Sequence, residues 1–84
     1  MRPPLPSRPT LTVLGSRIRD RRACLGLSQE AFAGRCGFDR TYISMIERGK
    51  RNISILNLLR IARGLNVSAS TLLDGIDDGP DPKQ

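Results

Sequence analysis

Glycines and small polar residues punctuate the middle of this chain so closely that only short helices fit between them. Gly26 is followed by Ser28, Gly37 by Asp39 and Gly49 by Ser54, while Ser68 and Gly75 bracket a last segment. A glycine adopts the left-handed conformation that ends a helix, and a Ser or Asp side chain accepts a free N–H at the start of the next. The segments between these stops run to about ten residues, and none shows the alternation of a half-buried strand.

Each segment has its own apolar face. A first helix opens at Thr12 or a neighbour and puts Leu14, Ile18 and Leu25 on one side, with Arg17, Arg19 and Arg21 pointing elsewhere. A second follows Ser28, has Glu30 in its first turn where the helix dipole favours an acid, and carries Ala31, Phe32 and Cys36 as far as Gly37. Asp39 caps a third, which runs through Ile43 and Ile46 to about Arg48. After Ser54 the fourth repeats Ile55, Leu58, Ile61, Ala62 and Leu65 at helical spacing. The fifth is short, from Ser68 through Leu72 and Leu73. Residues 1–10 hold four prolines and are expected to form a flexible, non-helical arm, and residues 77–84 a disordered Pro- and Asp-rich tail. The expectation is an all-α domain of five helices spanning residues 11–76.

At 84 residues the chain holds one core with a thin margin of stability, a margin that small proteins often widen with a metal, a disulfide or a partner subunit. There is no His, and Cys24 and Cys36 are the only cysteines, so a four-ligand zinc site is out of reach. No cofactor and no small-molecule ligand are expected. Met1-Arg2-Pro3-Pro4 leads only into the short apolar stretch Leu11–Leu14, which is not a secretory signal, and no run approaches the ~20 residues of a membrane span. A cytoplasmic protein with reduced thiols is expected. Cys36 then reads as a small core hydrophobe, and Cys24 as partly exposed. What remains is a second subunit.

Charge gives the first functional pointer. Residues 1–51 carry eleven Arg or Lys against four acids, a net of +7, whereas residues 52–84 carry three against four, a net of −1. A basic half beside an almost neutral one suits a polyanion such as DNA. Two short helices joined by a turn of about four residues supply the means, because the second can lie in a major groove while the first crosses the backbone.

The residues of that unit carry a resemblance. Leu27-Ser28-Gln29-Glu30 opens the second helix, Ile46-Glu47-Arg48-Gly49-Lys50-Arg51-Asn52 closes the third, and Leu65-Asn66-Val67-Ser68 precedes the fifth. Together, over Leu14 to Leu73, they resemble the Cro and lambda-repressor-like helix-turn-helix, or XRE, family. Within it, Asp39-Arg40-Thr41-Tyr42-Ile43-Ser44 and Glu47-Arg48 with Arg51-Asn52 look most like controller proteins of restriction–modification systems. The resemblance implies a double-stranded DNA operator as partner, bound by a bacterial or phage transcription regulator at the nucleoid. The third helix would be the reading helix, with Arg40, Thr41, Ser44 and Met45 toward the bases. Arg40 suits guanine O6 and N7, with a phosphate contact as its alternative, and Thr41 and Met45 suit a thymine methyl. Met45 could instead be spare apolar surface. Gln29, Tyr42, Lys50, Arg51 and Asn52 would hold the DNA backbone, although Lys50 and Arg51 also fit a solvated loop. The family also implies an ion pair between Arg22 and Glu47, and an acid among Ile46, Ile43 and Phe38 needs such a partner.

Pairing of two copies on a palindrome is expected, since members of the family commonly read two half-sites one DNA turn apart. Leu56 and Leu59 lie off the core stripe of the fourth helix, and Leu72, Leu73 and Ile76 crowd the last, so these five form the expected dimer surface. A generic XRE repressor of phage or toxin–antitoxin type is the alternative circuit. A protein-interaction module of antitoxin or coactivator type fits the basic half less well. An enzyme is not expected, for want of His, paired inner carboxylates or a phosphate-binding glycine loop.

Overall fold

The computed structural model describes residues 7–76, which form five α-helices in the order expected, with no strand among the described residues. They are α1 (Ser7–Cys24), α2 (Gln29–Cys36), α3 (Arg40–Glu47), α4 (Ile55–Gly64) and α5 (Ala69–Leu73). Ser28, Ser54 and Ser68 cap α2, α4 and α5, each accepting the N–H three residues on. Asp39 occupies the N-cap position of α3 without a side-chain bond. At the end of α2, Gly37 takes φ 80°, which turns the chain into α3 and returns N–H groups to the last carbonyls.

The core is made where α1, α2, α3, α4 and α5 converge. Ile18, Phe32, Ile43 and Ile61 are fully buried, each from a different helix, and Leu72 from α5 joins them at 1% exposure. α1 packs on α3 through Gly15. A Cβ there would stand 2.3 Å from the Ile46 carbonyl oxygen and 2.6 Å from that of Glu47, so only glycine lets the two backbones approach this closely.

Four expectations change. α1 begins at Ser7, so residues 7–10 are helical rather than part of an arm. Pro9 is its third residue, and N–H groups of the first turn have no intrahelical acceptor, so the missing hydrogen costs nothing. Residues 1–6 and the expected tail 77–84 lie outside the described residues. Leu25 follows the end of α1 and is exposed, because Cys24 closes the helix before its face comes round to the core. Ile55, placed on the core stripe by spacing, is 67% exposed. It is the first residue of α4, where the helix has not yet reached the shelter of its neighbours. Leu72 belongs to the chain's own core and so leaves the expected dimer surface.

Candidate nucleic-acid interface

α3 owes its orientation to its two faces. Ile43 and Ile46 point into the core with no exposure to speak of, and Glu47 is the buried charge beside them. The opposite side presents Arg40 and Thr41, both exposed, with Ser44 and Met45 half-buried further along. Three of these four are polar or charged, and among the described residues none is spent on an ion pair or a side-chain hydrogen bond. Arg40 and Thr41 sit in the first turn, the part of a reading helix that meets base edges.

The far end of α3 is tied down by charge. Arg22 Nε donates to Glu47 Oε2 at 2.6 Å and Arg22 Nη2 to Oε1 at 2.9 Å, a two-pronged pair between α1 and α3. Arg22 Nη1 also donates to the Leu27 carbonyl at 2.7 Å, which brings the loop before α2 into the same knot. Its hydrogen bonds to Glu47 raise the Arg22 guanidinium above its ordinary pKa, against the opposing effect of burial. The side chain of Glu47 is 2% exposed and that of Arg22 13%, so both charges are largely out of water and each needs the other.

Gln29 joins this knot, donating from Nε2 to Glu47 Oε1 at 3.1 Å. Placed in the sequence as a DNA-backbone residue, it is half-buried at the first position of α2 and orients the acid as well. The N–H groups of that first turn have no intrahelical acceptor and suit a phosphate.

The near end of α3 is held, among the described residues, without an ion pair. Tyr42 packs on Phe38 with ring centroids 4.8 Å apart and the rings tilted by 41°, and the Arg51 guanidinium lies 5.3 Å from the tyrosine ring centre. Asn57 of α4 donates to the Tyr42 hydroxyl at 2.9 Å. Arg60, one turn on, donates to the Cys36 carbonyl at 2.8 Å and lies 4.3 Å from the Phe38 ring centre, closing the end of α2 and the turn after it. Lys50, Arg51 and Asn52 are all exposed in the loop after α3, so Arg51 both faces solvent and braces Tyr42.

Asn57 and Arg60 were not singled out in the sequence, nor was Arg17, whose guanidinium donates to the Leu72 and Asp74 carbonyls and fixes the end of α5 to α1. One signal was available: Asn57, Arg60 and Arg63 are polar residues on a helix otherwise almost wholly apolar.

Cys36 is buried against Phe32 and Gly64, and burial pushes its thiol pKa up in spite of Arg35 and Arg60 nearby. Cys24 is exposed and free. Leu56 and Leu59 stand 72% and 49% exposed on α4, with Leu73 at 37% on α5, whereas Ile76 is half-buried against the chain's own core.

The helix-turn-helix family profile matches residues 18–72. The chain belongs to this family. Control protein C.MunI of Mycoplasma sp is 47% identical over 64 residues, covering 75% of this chain and 86% of the relative. Control protein C.BamHI of Bacillus amyloliquefaciens is 43% identical over 63 residues, covering 74% and 78% respectively. Among solved structures, the restriction–modification controller protein C.AhdI from Aeromonas hydrophila superposes with a TM-score of 0.72 at 42% identity, covering 74% of this chain and 94% of that one. The protein is a DNA-binding regulator of this helix-turn-helix class. Among the described residues no helix is long and apolar enough to cross a membrane.

Proposed function

We propose that the protein is a homodimeric transcription regulator that reads a palindromic DNA site in the cytoplasm, in the manner of a restriction–modification controller. The observation that carries this reading is α3 itself: its back is locked by Glu47 onto Arg22 and Gln29, and its polar front of Arg40, Thr41 and Ser44 is left unpaired. Arg40 reads a guanine, Thr41 and Met45 meet a thymine methyl, and Ser44 accepts or donates to a neighbouring base edge. The first-turn N–H groups of α2, with Gln29, Lys50, Arg51 and Asn52, take the phosphates.

Leu56 and Leu59, joined by Ile55 from the same turn and by Leu73, form the apolar surface that a second copy covers. An isologous interface sets the same patch on both copies against itself and carries two reading helices to one face. The control proteins similar to this chain favour the controller circuit over a generic repressor.

Footprinting on the promoter upstream of the chain's own gene tests this reading. A protected, two-fold symmetric site, with affinity falling steeply as salt rises, is the expected result. Equal affinity for specific and random duplex rejects it. A neighbouring endonuclease and methyltransferase gene pair is the expected setting of a controller.

A further inference from the structure

We infer that Asn57 is a specificity-determining positioning residue: by donating to the Tyr42 hydroxyl oxygen it turns that hydroxyl's own hydrogen outward, making Tyr42 a one-way donor toward DNA. The inference rests on the DNA-reading function proposed above and assigns a task to a residue on α4, outside the reading unit. Three observations carry it.

The first is the direction of the bond. The Asn57 amide nitrogen is a donor only, so the 2.9 Å contact occupies a lone pair of the Tyr42 oxygen and leaves its hydrogen unused. Among the described residues Tyr42 donates to no protein group. The second is confinement. Phe38 is packed against the ring, Arg51 lies over it, and Tyr42, Thr41, Arg51 and Asn57 share the wall of an open cleft beside the first turn of α3. The ring is thus confined, and Tyr42, half-buried, lines the same open cleft as the exposed Thr41.

The third is what Asn57 does not do. It is the third residue of α4, and its backbone N–H already bonds the Ser54 side chain at 3.1 Å. A Glu or Gln in that place commonly reaches back to the cap residue and closes a reciprocal pair of bonds. Asn57 instead reaches across to another helix, so its side chain serves the contact with Tyr42.

Turned to the base edges, a hydroxyl held this way recognises acceptors: guanine O6 or N7, or thymine O4. It rejects the amino groups of cytosine and adenine at the same place. Asn57→Asp inverts the arrangement with almost no change of shape. The carboxylate takes the tyrosine hydrogen inward and leaves lone pairs facing the DNA. An acid in the first turn of a helix is favourable, so α4 keeps its start.

The test begins by letting the wild-type protein select duplexes from a randomised pool. Affinities for the selected duplex and for a scrambled one are then measured at fixed salt for wild type, Asn57→Asp, Tyr42→Phe and the double variant. The ratio of the two affinities is expected to fall about three- to tenfold in each single variant, the range of one hydrogen bond. In the Tyr42→Phe background Asn57→Asp should lower it no further, because there is no hydroxyl left to orient. The added negative charge weakens both duplexes alike and cancels in the ratio. An unchanged ratio in Asn57→Asp, or a full further loss in the double variant, overturns the inference while leaving DNA reading intact. A wild-type selection that enriches no sequence rejects DNA reading itself, and this inference with it. Should Asn57→Asp fail to fold, Asn57→Ala carries the same comparison, with thermal melting as the control for a merely structural loss.

Discussion

The two ends of α3 are fastened by different chemistry. At its C-terminal end a buried carboxylate meets a guanidinium and an amide, and Gly15 of α1 lets the backbones almost touch. At its N-terminal end a half-exposed tyrosine is held by one neutral hydrogen bond, a packed ring and a cation over its face. The first fastening is strong because a desolvated charge cannot afford to lose its partner. The second is weaker, about 1 kcal/mol for the hydrogen bond, and sits beside Arg40 and Thr41. Rigidity is thus concentrated away from the face proposed to read bases, and the looser fastening lies beside it.

The largest expected effect lies at the ionic end, and it is asymmetric. Arg22→Ala strands Glu47 at 2% exposure with only Gln29 for company, whereas Glu47→Ala strands an arginine that is 13% exposed and still reaches the Leu27 carbonyl. Both should lower stability by about 3–5 kcal/mol, Arg22→Ala at the upper end and Glu47→Ala at the lower. Urea titration followed by circular dichroism checks the order. Equal and small losses would break the comparison, for then the charge pair would be no stronger an anchor than the neutral one.

Gly15→Ala comes next, at about 1–3 kcal/mol, since its new methyl meets backbone oxygens that cannot rotate away. Because the strain falls on Ile46 and Glu47, DNA discrimination should fall along with the melting temperature. Arg40→Ala tests the other end. It should cost about 1–3 kcal/mol of binding and relax preference at one position of the site, with melting unchanged. Lys50→Ala should weaken all duplexes alike and flatten the salt dependence.

The smallest effect is expected from Arg60→Met, which keeps an apolar stem over the Phe38 ring but removes the bond to the Cys36 carbonyl. It should cost about 1 kcal/mol in the same urea titration, and a loss as large as that of Arg22→Ala would erase the distinction between the two fastenings.

The same contrast explains what could be read from the residues alone. Caps and stops are local, so Ser28, Ser54 and Ser68 announced their helices, and the order of five helices followed. The Arg22–Glu47 pair was accessible because family likeness points to those positions. Errors arose where a position's neighbours decide its fate. Ile55 and Leu72 both fit apolar spacing, yet one stands at a helix start outside the shelter of the core and the other faces Arg17 and α1 from within it. Pro9 misled because proline is excluded from the interior of a helix and not from its first turn. Asn57, Arg60 and Arg17 escaped because a hydrogen bond between helices leaves no periodic trace in the chain. Their partners, a tyrosine hydroxyl and the backbone carbonyls of Cys36, Gly37, Leu72 and Asp74, are fixed by tertiary packing.

Arg17 has a wider consequence. From α1 it grips the carbonyls that end α5, while two turns of the same helix, at Gly15 and Arg22, bear on α3. α5 has five residues and packs on both α4 and α1, so α1 shares in setting its direction. In a paired assembly built on α4 and α5, the separation of the two reading helices would therefore be gauged in part by α1. The half-site spacing such a pair accepts would then depend in part on this helix, and on the grip of Arg17 on the end of α5.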